Sequence, residues 1–457
     1  MKNTQNDYTL ENAISPLDGR NRYKLKNLSL YFSESALLQN RMEIEIKYLF
    51  FLSKYGLVRK LSLKEEKKLG NLINENAANR YKEVREIEKK TNHDMKAVEE
   101  YLKIKLQKTS MNDIFEMVHF GLTSEDINNL AYAKMIDGCI KKEIKPLLNE
   151  ILGKFKKDIL KYSLFSMLGR THGQSAAPTT LGKELLVYRN RLNDELQILE
   201  KIKLHGKLNG NTGGLNVHQF LFPQKDWIDL SKKFVTSLGF ISDLATTQIE
   251  HYDSYIRTFQ TLSRINNIFL DLSVNMWIYI MQGYFKQKVI SKEVGSTALP
   301  HKVNPIYFEG AEGGFEIANA LFDMYARKLS KSRLQRDLSD STVRRSFGIA
   351  FGYSILSYQS ILEGMNRVEG DREIIINDLN NHYEILSEPV QNMLRMRGIK
   401  KGYDMTKEFF RGKHITEKSY IDFIQELALS KKDKLLLLKL KPELYVGVSN
   451  QLTTHYV

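Results

Sequence analysis

The chain has one cysteine, Cys139, and only 8 prolines in 457 residues. A single cysteine excludes an intramolecular disulfide and fits a reducing compartment, so a cytoplasmic location is expected. Scarce proline, with Leu, Ile, Lys and Glu recurring throughout, favours helix over sheet. Residues 1–20 are polar and lack the apolar core of a secretory signal. The best membrane candidate, 267–284, is broken by Asp271, Asn275 and Gln282 and reads as a buried helix of a large bundle. The 10 histidines show no HExxH, and there is no paired-cysteine spacing, so no metal site is expected. A GxSxG elbow is missing as well, and Cys139 reads as packing within a helix. There is no internal repeat, no low-complexity tract and no convincing alternating strand.

What is present describes a globular protein with a large core: 42% hydrophobic and 27% charged residues. Periodicity predicts an all-α fold in three parts: an N-terminal helical domain over 1–111, a central helical bundle over 112–364 and a C-terminal helical domain over 365–457. A helix is expected from Thr91-Asn92, either of which can cap it; Met95, Val98, Leu102 and Leu106 then form one apolar face. Leu262, Ile265, Phe269, Leu272, Met276 and Ile280 form a longer stripe, suited to a bundle. Three polar segments interrupt the long helices, at 168–180, 207–218 and 291–305, and each contains a histidine. Between rigid helices, such interruptions are where sites are built.

The net charge of +14 admits two readings. One is a polyanionic partner: nucleic acid, an anionic membrane or a phosphorylated substrate. The other is a lysine-rich bias on solvated helix faces, which the even spread of the lysines favours.

The densest chemistry lies in residues 295–310, GSTALPHKVNPIYFEG. A small polar loop leads into His301 and Lys302 and then Asn304-Pro305, a good helix-start pair with Asn304 as cap. Two bases beside a helix N-terminus suit an anion and a reaction that develops negative charge. His172, in GRTHGQSAAPTT, is poised for proton transfer or makes a structural bond to loop backbone; the residues leave both open. The glycine-rich GNTGG at 210–214 lacks a P-loop lysine and reads as a flexible turn. Residues 330–346 gather Arg333, Arg336, Arg344 and Arg345 with several hydroxyls, either a phosphate or carboxylate site or a solvated basic face.

Together these segments form a pattern. GSTALPHKVNP resembles the signature loop of the fumarase/aspartase superfamily, with Thr297 and Leu299 where the usual form has serine and methionine. SPLDGR, TNHDMKAVEEYLK, HFGLTSEDINNL, GRTHGQSAAPTTLGKE, TTQIEHYDSY and LQRDLSDSTVRR, in that order between residues 15 and 345, resemble the bacterial-type branch of the adenylosuccinate lyase family. The rivals are another lyase of the superfamily, such as argininosuccinate lyase or fumarase, and a basic nucleic-acid-binding protein motivated only by charge.

The resemblance implies an all-helical three-domain fold and a homotetramer with active sites shared between subunits. It implies cleavage of adenylosuccinate to AMP and fumarate, and of SAICAR to AICAR and fumarate, in purine biosynthesis. It implies no cofactor, no nucleic-acid partner and no membrane. Carried residue by residue, Ser296 takes the place of the general base and His172 that of the general acid. Glu309 matches the carboxylate that orients this histidine. Lys302 and Asn304 match groups on the succinyl carboxylates, and Thr123 and Ser124 match hydroxyls on the fumaryl part. Arg20, Asn92, His93, Asp94, Gln248, Arg336, Ser341 and Arg345 match other substrate-binding positions. Asn21, Ala298 and Gly310 depart from the family's pattern, at positions that bear on nucleotide contacts.

Overall fold

The computed structural model describes residues 9–74, 77–291 and 293–457; the first eight residues of the polar opening segment and Lys292 of the 291–305 interruption lie outside them. The chain is mostly helical, as expected, and its longest helix, Asp253–Met281, carries the predicted stripe, with Leu262, Ile265, Phe269, Leu272 and Met276 buried and Ile280 half-buried. Among the described residues no helix is long and apolar enough to cross a membrane, and no group of three or more His, Cys, Asp or Glu could hold a metal ion.

Three short two-stranded sheets correct the expectation of no strands. The most consequential is the antiparallel hairpin Ser166–Thr171/Gln174–Thr180, in the segment read from sequence as a loop between helices. Its strands are rich in Gly, Ala, Ser and Thr, so hydrophobic alternation is too weak to announce them. His172 and Gly173 form the two-residue turn, with φ of 54° and 74°, the positive-φ pair of a type I′ hairpin turn. The register shifts at Gly169, where a Cβ would sit 2.2 Å from the Ala177 carbonyl oxygen.

The chain divides into two compact units. One comprises residues 1–147, 196–266 and 314–357, the other 148–195, 267–313 and 358–457. In the first, helix Glu34–Lys54 is capped by Ser33, whose Oγ accepts the Ala36 N–H at 3.0 Å. It buries Leu37, Leu38, Met42, Ile46, Leu49 and Leu52 and packs on helix Ser124–Cys139. Phe259, Phe322, Tyr325, Phe347 and Phe351 form an aromatic core with centroid spacings of 5.0–6.3 Å.

In the second unit the hairpin is backed by helices Arg372–Asn380, Ser387–Met396, Gly402–Phe410 and Glu417–Glu426. Leu168 joins Leu379, Leu386, Val390, Leu394, Phe410 and Ile424 in one apolar cluster. Burial of roughly 1.5–3 kcal/mol per large apolar side chain anchors the hairpin's base there, while its tip stays exposed.

Candidate active site

The first unit collects the candidate substrate-binding residues other than Asn304. Asn92 has φ of 51°, tolerable for asparagine, and His93, not Thr91 or Asn92, caps helix Asp94–Gln107. Its Nδ1 accepts the Lys96 N–H at 3.1 Å, which leaves Nε2 to carry the proton and face solvent. Asp94 accepts the Met95 N–H at 2.7 Å and pairs through Oδ2 with Arg41 at 2.9 Å and Arg345 at 2.6 Å. Burial would push its carboxyl up, but the two guanidiniums outweigh that and hold it at about 2. Arg345 also grips Glu34 at 2.6 Å, so the TNHD segment and the RR pair meet. Arg20 ends a tight turn in which the Gly19 N–H donates to Ser15 O at 3.0 Å, and its side chain is exposed.

Thr123 stands at the N-cap of helix Ser124–Cys139, its N–H donating to Asp126 Oδ2 at 2.9 Å. Asp126 is fully buried, 3.1 Å from the equally buried Lys207 Nζ, and accepts the N–H groups of Asn209 and Gly210. The 210–214 turn, read from sequence as flexible, is therefore pinned by a buried ion pair. A Cβ on Gly213 would lie 2.1 Å from Thr246 O. Gln248 donates to Asn211 O of that turn at 3.0 Å and accepts from Arg336 at 3.0 Å. Ser341 lies half-buried in helix Ser339–Arg345. The structure thus gathers Thr123, Gln248 and Arg336 around one buried polar core.

One buried pair near these residues escapes sequence reasoning. His119, in the HFGLTSED motif, has φ of 62° and sits 2.5 Å from the buried Glu45 carboxylate. Burial alone would lower its imidazole, but Glu45 outweighs this and pushes it up. The signal was there in part: Arg41 and Glu45 interrupt the buried face of an otherwise apolar helix.

The second unit holds the proposed acid and base. His172 is exposed at the hairpin tip. The flanking strands are braced: Arg170 donates to Tyr284 Oη and Asp378 Oδ2, both at 2.7 Å, and Ser175 donates to Glu384 Oε1 at 3.1 Å. His382 lies between these carboxylates, 3.7 Å from Asp378 and 3.2 Å from Glu384.

Ser296 is half-buried in the 295–305 loop, its Oγ accepting the N–H groups of Ala298 at 3.3 Å and Leu299 at 3.1 Å. Lys302 is exposed. The side-chain amide nitrogen of Asn304 turns back across the loop and donates to Gly295 O at 2.9 Å, and the next helix, Ile306–Leu329, follows Pro305, whose carbonyl accepts the Glu309 N–H at 3.2 Å. That side-chain bond closes the loop. Glu309 accepts the Trp277 indole N–H at 3.1 Å, and among the described residues no hydrogen bond or ion pair joins it to His172.

Comparison with known proteins places these features in context. A family model described as "Lyase" matches residues 19–315, and one described as "Adenylosuccinate lyase C-terminal" matches 332–446. The chain is 43% identical to an adenylosuccinate lyase of Legionella pneumophila, covering 97% of this chain and 98% of that protein. It is 38% identical to the one of Escherichia coli K12, covering 95% and 96%. Among solved structures, a fumarate lyase from Mesorhizobium superposes with a TM-score of 0.75 at 16% identity, covering 94% of this chain and 97% of that one. The 3-carboxy-cis,cis-muconate lactonizing enzyme of Pseudomonas putida gives 0.75 at 17%, covering 94% and 96%; at such identities the likeness is one of fold.

Proposed function

The chain belongs to the adenylosuccinate lyase family of carbon–nitrogen lyases, and from that membership we propose the reaction it performs and the residues that carry it. Adenylosuccinate loses fumarate to give AMP, and SAICAR loses fumarate to give AICAR. Ser296 Oγ removes a proton from the succinyl Cβ. The electron pair passes into the neighbouring carboxylate, the C–N bond breaks, and His172 protonates the departing nitrogen. Glu309 orients His172. Lys302 and Asn304, beside the start of helix Ile306–Leu329, stabilise the charge that builds on the carboxylate. Thr123 and Ser124 hold the fumaryl part, while Arg20, Asn92, His93, Asp94, Gln248, Arg336, Ser341 and Arg345 hold the rest. Closure of the 295–305 loop excludes water and brings Ser296 beside Lys302.

The observation that carries this reading is the loop itself. It is tied at its neck by Asn304, and it presents Ser296 and Lys302 within about ten residues of a helix start. His172 and Glu309 are both exposed in the single chain, which supports a homotetramer in which the acid of one subunit meets the carboxylate of another. The three-domain division at 111 and 364 and a cytoplasmic location belong to the same proposal. The test is an ultraviolet assay of the purified protein with adenylosuccinate, SAICAR and argininosuccinate. Cleavage of the first two is expected; cleavage of argininosuccinate alone refutes the proposal.

A further inference from the structure

Arg344 and Arg345 are neighbours in sequence with opposite fates. Arg345 reaches the half-exposed Glu34–Asp94 cluster, whereas Arg344 is 2% exposed and enters the core of its unit. Its guanidinium lies between the rings of Tyr132 and Tyr252, 4.9 and 5.4 Å from their centroids. From there it grips the fully buried Glu125 with both terminal nitrogens, at 2.6 and 3.0 Å, and reaches Asp340 Oδ2 at 3.0 Å. The Tyr252 hydroxyl stands 3.0 Å from Glu125 Oε1 and 2.8 Å from Asp340 Oδ2.

A second guanidinium faces the same carboxylate. Arg336 Nη2 lies 3.3 Å from Glu125 Oε2, a long single contact, while its Nη1 donates to Gln248 at 3.0 Å. The Arg336 side chain keeps 17% of its surface. Glu125 is therefore contested. Arg344 has taken the strong two-pronged geometry, and Arg336 is left at the edge, open to solvent. Arg344, Arg336, Glu125 and Asp340 balance in charge as they stand. Without Arg344, a buried carboxylate would be left with Arg336 as its nearest cation, and an unpaired buried charge draws whatever partner it can reach.

We propose that Arg344 is a positioning residue for substrate binding: by saturating Glu125 it keeps that carboxylate from capturing Arg336, and so leaves Arg336 available to an anionic group of the substrate. The inference rests on the reading of Arg336 as a substrate-binding residue. Arg344 itself never meets the substrate. Its effect falls on binding, because a withdrawn Arg336 weakens ground state and transition state alike.

The experiment compares full-length Arg344→Met, Glu125→Gln/Arg344→Met and Arg336→Met by steady-state kinetics with adenylosuccinate and by thermal melting. Loss of one charged hydrogen-bonding partner should raise KM in Arg344→Met at least ~10-fold with kcat within a few-fold of the parent. The double variant removes the competing carboxylate and should return KM to within about threefold of the parent. A purely structural role would lower the melting temperature and leave KM of the folded enzyme unmoved, which would overturn the proposal. So would a double variant whose KM stays as high as that of the single one. If Arg344→Met does not fold, Arg344→Lys is read in its place, since lysine keeps the charge and gives up the fork. A raised KM there supports the proposal and an unchanged one overturns it. An unchanged KM in Arg336→Met shows instead that the underlying reading of Arg336 has failed, and the inference falls with it.

Discussion

The side-chain amide of Asn304 donates to the carbonyl of Gly295 at 2.9 Å and so closes the neck of the loop that carries Ser296 and Lys302. Gly295 fits there because it has no side chain: a Cβ would lie 1.9 Å from the Lys302 carbonyl oxygen. Gly295→Ala must therefore open the neck. We expect turnover to fall at least ~10²-fold, the scale seen when catalytic groups are misplaced by about an ångström. The melting temperature should hold, since the loop is exposed and adds little to the core. An unchanged kcat would show that the neck does not set the geometry of Ser296.

Ser296→Ala and His172→Ala should each lower turnover at least ~10²-fold, the usual scale for loss of an acid or base. With shared sites, the two inactive variants should regain partial activity when mixed and reassembled. Failure to recover, with subunit exchange demonstrated by mass, would count against sharing.

The hairpin that carries His172 is held through Arg170–Asp378 and Ser175–Glu384. These pairs are partly exposed, so each contributes on the order of 1 kcal/mol or less to stability. Their weight should fall on orientation. Asp378→Asn combined with Glu384→Gln is expected to reduce kcat several-fold while KM and melting temperature stay near parental values. In a His172→Ala background the same pair of changes should add nothing.

The buried Asp126–Lys207 pair pins the 210–214 turn that Gln248 meets. Lys207→Met leaves an uncompensated carboxylate in the core and should cost about 3–5 kcal/mol in chemical denaturation. Asp126→Asn/Lys207→Met should recover most of that loss, because no charge is then stranded.

Two carboxyls set opposite pH limbs. Asp94 is held at about 2, below its ordinary value near 4, so its contribution is full above ~4 and is lost as pH falls toward 2. Glu250 is pushed up to about 8 by burial and by the neighbouring Asp243 carboxylate. The folded state therefore holds an extra proton between ~4 and 8, and stability falls as pH rises through that window. Glu250→Gln should gain stability relative to the parent at pH 9 and show no such gain at pH 5. Equal differences at both values in urea melts would refute the assignment.

Much of the fold was legible because helix periodicity is a local property. The stripe from Leu262 to Met276 reads directly off the sequence, and it is buried where expected. The hairpin was not legible, because Gly, Ala, Ser and Thr carry almost no alternation, and its turn depends on positive φ at a histidine. The cap of helix Asp94–Gln107 was not legible for a related reason. There a histidine nitrogen replaced the expected Thr or Asn oxygen. A cap is a competition between neighbouring groups, and sequence names the competitors without deciding which one wins.

By itself the sequence determined the helical class, the absence of a disulfide, the motifs that mark the family, and which residues could carry the chemistry. Each of these follows from composition, period or ordered motif, which are properties of the chain read in line. Only the tertiary structure decided that Arg344 is buried while Arg345 is not, that Glu125 is shared between two guanidiniums, and that a buried ion pair pins the glycine turn. These depend on which groups long-range packing brings together, and in a low-dielectric interior that pairing decides whether a charge is held, contested or free.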